Sequence, residues 1–386
     1  MSSKGSISTL LLLFCLVPAL AVAQGYTIVD LGTLSPTGIN TWGQVAANYN
    51  GHAFIWVAFG GARDLGMLHD GTFASAAAIN DVGMITGTAD GRGTVVSSPD
   101  LKCPNLTQPF IWTWTNGMRS LGTVGLPGGF MDIWCNIPFF ATGIDHRGQV
   151  VGYHPNVETY EDGFLWTKAN GMTLLPDGYE NVANGINNRG DTVGSYLLPF
   201  LALNMMSHAV LWNDQVLTDL GTLGGADADF LFCSSGNAVN DLSQVVGWST
   251  TSEMSFPCSS VLSGENVLHA FLWTSSSGMQ DLGTLPGDTL SAASKINFYG
   301  QVIGSSGNVV ISQSGQLGGE LIQVSGHPFV WSERYGMQDL NNLIPINSGW
   351  VLNSATDINI WGQIVGTGTH HGQTHGFLLT PLKLLP

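Results

Sequence analysis

Seven copies of one short sequence word constrain the fold of this chain more than any other feature. Each copy reads aliphatic, Asn, two variable residues, Gly, Gln, aliphatic, and the copies recur about every 53 residues. Seven copies at this period indicate an array of small structural units rather than one irregular core. The Asn positions, with Asp in the third copy, are Asn40, Asn80, Asp145, Asn187, Asn240, Asn297 and Asn359.

Two further words recur with the same rhythm. One reads His-Ala-Phe-aliphatic-Trp and the other Asp-Leu-Gly-Thr-Leu. The first begins at His52, His208, His269, His327 and a degenerate His375, and two relatives without the histidine begin at Pro109 and Gly163. The second begins at Asp30, Asp64, Asp219 and Asp281, with weaker forms at Ser120, Thr173 and Asp339.

These His-Ala-Phe and Asp-Leu-Gly-Thr-Leu words resemble the HAF-repeat family of bacterial extracellular proteins. The resemblance covers essentially the whole chain after its first 23 residues. It implies export and a repeat architecture, and it implies no activity. The missing histidines, and Ser243 in place of the turn glycine, are departures in single copies.

The words predict four antiparallel strands per repeat, named A to D from the small-residue strand before each Asn. Asn to the Gln position is always 4 residues, and the motif Phe to the motif Leu is 10 or 11. In contrast, Asn to the motif Phe varies from 14 to 32, and the motif Leu to the next Asn varies from 9 to 24. The A–B and C–D turns are therefore constant and form one face, the turn face. The B–C and D–A connections vary and form the opposite face, the loop face. We predict an all-β, seven-bladed propeller of four-stranded antiparallel blades, with a parallel β-helix as the alternative.

The two ends of the chain predict how the ring closes. Residues 26–31 read as a D strand with no A, B or C strand before it, and the chain ends on a C strand at residues 375–379. We expect the N-terminal strand to complete the last blade, which removes exposed sheet edges.

The first 23 residues predict a signal peptide. Lys4 precedes an apolar run from Leu10 to Val22, and Ala21-Val22-Ala23 resembles a cleavage site. The run is too short to span a bilayer. We therefore expect a single propeller domain over residues 24–386, secreted to the extracellular space or the periplasm, without a membrane span and monomeric.

The amino-acid composition restricts the classes of partner that this protein could bind. Only 10% of residues are charged and the net charge is −16, so clustered cations for nucleic acid are not available. No cofactor, catalytic or metal-binding motif stands out. We interpret the recurring histidines as bonded within their own blades, and we expect His370 and His371 to be solvated.

Apolar side chains in the variable connections predict the binding surface. Loops are normally polar, so these residues either pack over the channel mouth or form an exposed patch. The candidate binding residues are Phe130, Met131, Trp134, Phe139, Phe140, Phe200, Met205, Met206, Phe230 and Phe232.

Four cysteines remain after the signal peptide, and all fall in loop-face connections. Their placement around blades 2 and 5 predicts the disulfides Cys103–Cys135 and Cys233–Cys258.

The function favoured by the sequence is a binding scaffold for a protein, glycan or apolar ligand. The alternative is a glycan-active hydrolase or lyase that uses loop carboxylates. The candidate acids are Asp132, Asp177, Glu180, Asp227, Asp229, Asp288, Glu158, Glu161, Asp162, Glu253, Glu265 and Glu320.

Overall fold

Seven four-stranded antiparallel sheets dominate the fold. Six take their strands from one stretch of the chain, and the seventh combines the N-terminal strand with the last three strands. This computed structural model describes residues 25–95, 98–103, 106–123, 137–155, 161–176, 181–197, 207–214, 216–224, 233–251, 267–314 and 320–383. The predicted signal peptide lies outside these residues. Among them, no helix has the length and apolar character needed to cross a membrane.

The strands are numbered along the chain from β1 (Tyr26–Asp30). Blade 1 contains β2 (Ser35–Ile39), β3 (Val45–Tyr49), β4 (His52–Val57) and β5 (Gly61–Asp64). Blade 2 contains β6 (Ala74–Ile79), β7 (Ile85–Ala89), β10 (Gln108–Thr113) and β11 (Gly117–Ser120). Blade 3 contains β12 (Phe140–Ile144), β13 (Val150–Pro155), β14 (Glu161–Thr167) and β15 (Gly171–Leu174). A separate ribbon, β8 (Gly93–Val95) with β9 (Ser98–Cys103), lies within the B–C connection of blade 2.

Blades 4 to 7 repeat the arrangement. They contain β16 (Asn181–Ile186), β17 (Thr192–Leu197), β18 (Ser207–Asn213), β19 (Val216–Asp219); β20 (Ser234–Val239), β21 (Val245–Thr250), β22 (Leu268–Thr274), β23 (Gly278–Asp281); β24 (Leu290–Ile296), β25 (Val302–Ser314), β26 (Glu320–Ser332), β27 (Gly336–Asp339); and β28 (Trp350–Ile358), β29 (Ile364–His370), β30 (Gln373–Pro381). A short 3-10 helix, Leu340–Asn342, follows β27.

The ring closes through β1, as predicted. This strand pairs antiparallel with β30, from Tyr26 opposite Pro381 to Asp30 opposite Phe377, and becomes the D strand of blade 7. The A strands of successive blades contact one another around the whole ring, with β28 meeting β2 at the end of the cycle. The fold is therefore a seven-bladed β-propeller, and the β-helix alternative is excluded.

Apolar side chains fill the space between neighbouring blades. Between blades 1 and 2, Ile55 of β4 packs in one buried cluster with Ile85 and Phe110 of the next sheet. The motif Phe is completely buried in five blades. This explains why the position recurs, since in each of these blades one aromatic ring is buried against the neighbouring blade. These buried rings are Phe110, Phe164, Phe271, Phe329 and Phe377.

A β-bulge interrupts every A strand at the same place. The bulge brings the A strand close to the B strand, so that a Cβ on Gly247 of β21 would lie 1.9 Å from the carbonyl oxygen of Ser235. Glycine occupies this B-strand position in six blades, which accounts for six of the 51 glycines of the chain. The bulge residues are Thr37, Ala77, Thr142, Asn184, Asn237, Ser294 and Thr356.

Polar bulge side chains join consecutive A strands. Five of them donate a hydrogen bond to a main-chain carbonyl of the next blade, so the bulges act as inter-blade links as well as bends. The pairs are Thr142 to Ala183, Asn184 to Gly236, Asn237 to Ala293, Ser294 to Ala355 and Thr356 to Pro36.

The recurring Asn makes a second set of links on the turn face. In blade 6, Oδ1 of Asn297 accepts the N–H groups of Tyr299 and Gln301 and so holds its own turn. Its Nδ2 donates to the carbonyl of Asn359 in the next blade at 3.1 Å. Equivalent bonds join six of the seven consecutive pairs, and the donors are Asn40, Asn80, Asn187, Asn240, Asn297 and Asn359.

Candidate functional site

In four blades, the recurring histidine pairs with the recurring aspartate of the same blade. The histidine begins strand C and the aspartate ends strand D, which brings their side chains together at the loop-face end of the blade. The Nδ1-to-carboxylate distances are 2.7 Å for His52–Asp64, 2.9 Å for His208–Asp219, 2.8 Å for His269–Asp281 and 3.0 Å for His375–Asp30. The prediction that the motif histidines bond within their own blades is confirmed for these four. The fifth, His327, instead has Nδ1 3.6 Å from Asp288, while Asp339 caps the 3-10 helix after β27.

Each of these carboxylates also fixes the turn that follows it. Asp219 accepts the N–H of Gly221 at 2.8 Å, and Asp281 accepts the N–H of Gly283 at 2.7 Å. Burial acts to raise the pKa of both carboxyls, but the bonds from His208 or His269 and from the glycine N–H outweigh it, and each pKa is lowered. The His-Asp-Gly arrangement is therefore a latch that ties strand C to the end of strand D.

Blade 2 keeps the latch with different residues. Gln108 stands at the histidine position and Ser120 at the aspartate position, and the Ser120 hydroxyl donates to the Gln108 side chain. Ser120 Oγ in turn accepts the N–H of Gly122 at 2.9 Å. An uncharged pair makes the equivalent contacts between strand C, strand D and the following turn, which supports a structural role for the motif. The paired change was visible in the sequence once the word was aligned from Gln108 instead of Pro109.

Blade 7 departs from the other blades because a second histidine joins the latch. His370, at the end of β29, has Nδ1 3.1 Å from Asp30, the carboxylate that already bonds His375. Its ring stacks on Trp350 with centroids 4.5 Å apart and planes 6° apart. The expectation that His370 is solvated was wrong, because the hairpin places it between Trp350 and Asp30; His371 is exposed.

Most of the candidate binding residues on the loop face lie outside the described residues. Phe139 and Phe140 are described. Phe139 is 1% exposed and packs on His154 and Phe164, with ring centroids 4.4 and 6.0 Å away, so it belongs to the core. Phe140 is partly buried, and its ring lies 5.4 Å from that of Tyr153. The candidates outside the described residues are Phe130, Met131, Trp134, Phe200, Met205, Met206, Phe230 and Phe232.

Of the four cysteines in the predicted disulfides, Cys233 alone has a described side chain. Cys233 is completely buried at the start of blade 5, in a cluster with Trp248 and Leu268. Cys135 and Cys258 lie outside the described residues, and Cys103 is described only as a backbone position at the end of β9. The pairing therefore stays a prediction.

The turn face carries aromatic side chains that the sequence analysis missed. The third residue of each Asn-x-x-Gly turn points outward, and Trp42 is 77% exposed there. Nε1 of Trp42 donates to the carbonyl of Asp81, and Nε1 of Trp361 donates to that of Thr41, so both rings lie across neighbouring turns. The exposed apolar residues of these turns are Trp42, Val82, Leu242, Phe298, Tyr299 and Trp361.

Comparison with known proteins relates this chain to propellers by shape. No family profile and no curated protein sequence matches it. Solved structures do match, including the β-propeller domain of the trilobed protease from Pyrococcus furiosus, at 8% identity and a TM-score of 0.47, over 91% of this chain and 98% of that one. The tricorn protease matches at 12% identity and a TM-score of 0.47, over 93% of this chain and 34% of that one.

Proposed function

We propose that this protein is an exported binding scaffold of the HAF-repeat kind, which holds its ligand on the loop face. The two faces of the propeller differ in how their connections are built. On the turn face, the Asn bonds and tight turns repeat from blade to blade. On the loop face, connection length changes with every blade, and a rigid frame with variable loops is a common arrangement for binding.

The observation that carries the proposal is the contrast between blades 1 and 6 at the B–C connection. In blade 1, Asn50 and Gly51 alone join Tyr49 to His52. In blade 6, β25 and β26 continue their pairing from Ser306 opposite His327 out to Ser314 opposite Glu320. An ordered arm therefore extends beyond the blade, and the ribbon of β8 and β9 adds a second elaboration on the same face.

The chemistry of the ligand is constrained by the residues that the loops carry. The connections are rich in Phe, Met and Trp and poor in cations, which favours an apolar, aromatic-stacking or glycan ligand over a polyanion. A protein partner fits the same composition.

A glycan-active enzyme has no specific observation in its favour. Two of its candidate acids have described side chains, and each lies beside a histidine. Asp162 is 3.9 Å from Nε2 of His154, and Asp288 is 3.6 Å from Nδ1 of His327. A hydrolase dyad needs two carboxyl groups about 5 to 9.5 Å apart around one opening.

The test compares binding by the secreted protein and two variants on a glycan array and a panel of apolar ligands. In the first variant, Asn-Gly replaces residues 307–326, so that blade 6 acquires the short turn of blade 1. The matched control is Trp42→Ser on the turn face. We expect the arm deletion to abolish or strongly weaken binding and the control to retain it.

The opposite pattern would place the binding surface on the turn face and overturn the proposal. Chemical turnover of a bound glycan would instead identify an enzyme. Circular dichroism of both variants establishes that the blades remain folded before binding is compared.

A further inference from the structure

Asp30, His370 and His375 form a cluster in blade 7, and among the described residues the latches of the other blades contain no equivalent of it. One oxygen or nitrogen from each residue lies within 4.8 Å of the others. Nδ1 of His370 is 3.1 Å from Asp30, and Nδ1 of His375 is 3.0 Å from it. One carboxylate therefore faces two imidazoles.

The second histidine arrives because the B–C hairpin of blade 7 is two residue pairs longer than that of blade 1. His371 and Gly372 form its turn with φ of 50° and 80°. His375 pairs with Gly368, and His370 pairs with Gln373, so the two histidines are diagonal neighbours on one face of the sheet. In blade 1, the hairpin ends before an equivalent of His370 can occur.

The surroundings hold His370 in place. Trp350 lies opposite it in β28 and stacks on its ring. Gly368 leaves room for the indole, because a Cβ there would lie 3.1 Å from Cε3 of Trp350 and 2.8 Å from the carbonyl oxygen of Val351. The two histidine side chains are 17% and 19% exposed and Asp30 is 37% exposed, so the cluster is walled on one side and open to solvent on the other.

Two imidazoles and a carboxylate are a ligand set that suits zinc and similar first-row divalent ions. At ligand bonds of about 2.0 to 2.1 Å, two ligand atoms of a tetrahedral site are about 3.3 Å apart. The nitrogen-to-oxygen separations of 3.0 and 3.1 Å are close to that edge. Small side-chain movements would let the three groups surround one ion, with water as the fourth ligand.

We propose that Asp30, His370 and His375 bind a divalent transition-metal ion, of which Zn²⁺ is the best match. Asp30 belongs to the N-terminal strand, and both histidines belong to the C-terminal hairpin. The ion therefore links the two ends of the chain at the one blade that they share. The ion would stabilise the closed ring, in addition to the main-chain pairing of β1 with β30.

The test is calorimetric titration of Zn²⁺ into the metal-stripped mature protein, with thermal unfolding measured in parallel. We expect one tight site per chain and a rise in Tm on Zn²⁺ addition that a chelator reverses. His370→Ala should weaken that site by at least about 100-fold, because even outer-shell partners of a metal typically contribute 10- to 100-fold. The same variant should remove the Zn²⁺-dependent rise in Tm.

The matched control is His269→Ala, which deletes the histidine of an ordinary latch in blade 5. It should leave the tight site and the Zn²⁺-dependent rise in Tm unchanged. Equal loss in both variants, or an unchanged site in His370→Ala, would overturn the proposal. The wild-type protein gives an independent readout, since Co²⁺ in the same site should show the intense visible absorption of tetrahedral coordination, and only weak octahedral bands would contradict it.

Discussion

Nδ2 of Asn359 donates a hydrogen bond to the carbonyl oxygen of Asn40, 3.0 Å away and 319 positions earlier in the chain. The same bond connects the corresponding residues of most neighbouring blades. Blades 7 and 1 are therefore joined in the same way as blades that are consecutive in sequence. The series of Asn hydrogen bonds is interrupted at Asp145, because its carboxylate has no N–H group to donate. That carboxylate instead accepts the N–H of Gln149 at 2.7 Å and Nε of Arg147 at 3.0 Å.

The Asn bonds should contribute measurably to stability. Asn297→Ala removes a donor to Asn359 and leaves the turn N–H groups of Tyr299 and Gln301 without their acceptor. We expect the free energy of unfolding, from urea titration, to fall by about 1–3 kcal/mol. The control is Asn116→Ala, in an exposed turn, which should change it by less than about 0.5 kcal/mol.

Asp145→Asn tests the same bond in the opposite direction. The amide regains a donor directed to the next blade, so this variant should be at least as stable as the wild-type protein. Equal losses for Asn297→Ala and Asn116→Ala would show that the bonds between the turns are unimportant.

Closure by β1 predicts a large difference between two residues of that strand. Tyr26 is 1% exposed and packs in the blade 7 core, whereas Val29 points outward and is 42% exposed. Tyr26→Ala should lower the free energy of unfolding by about 3–5 kcal/mol. Val29→Ala should change it by less than about 0.5 kcal/mol. If the two variants unfold alike in urea, β1 does not belong to the cooperative fold.

The sequence was sufficient for the architecture because the propeller is built from local spacing. The constant Asn-to-Gln distance and the Phe-to-Leu distance of 10 or 11 residues predicted the turn face, and the unmatched strand at residues 26–31 predicted closure. The A-strand bulges and the bonds between blades were not predicted, because they depend on which residues meet across a sheet or between sheets.

The cluster in blade 7 shows why the site was harder to predict than the fold. His370 and His375 looked like a solvated residue and an ordinary motif histidine. Their convergence on Asp30 requires both the hairpin register and the pairing of the two chain ends. Phe139 was misplaced for a related reason, since its apolar character suited either an exposed loop or the core that it occupies beside His154.

The latch carboxylates predict a loss of stability in acid. The pKa values of Asp219 and Asp281 are lowered from 3.8 in the folded protein, so the unfolded chain binds more protons than the folded one around and below that pH. Their contribution is fully present above the unfolded pKa and is lost as pH falls through the folded values. Urea unfolding from pH 7 to pH 2.5 should show stability decreasing below about pH 4.

Asp219→Asn and Asp281→Asn should each make that acid-side slope shallower, while lowering stability at pH 7. Ser120→Ala is the matched control, because blade 2 has a latch without a carboxylate. It should shift the stability curve without changing its slope. An unchanged slope in both Asp variants would separate the latches from the acid response.

The cysteines give a covalent test of how the loops lie on the loop face. We expect protease digestion without reduction to yield two linked peptide pairs, Cys103 with Cys135 and Cys233 with Cys258. Cys233 is completely buried at the start of blade 5. Replacing both cysteines of that pair by Ser should lower Tm, because the closed loop of about 25 residues restricts the unfolded chain. A crossed pairing, such as Cys103 with Cys258, would contradict the assignment of these loops to blades 2 and 5.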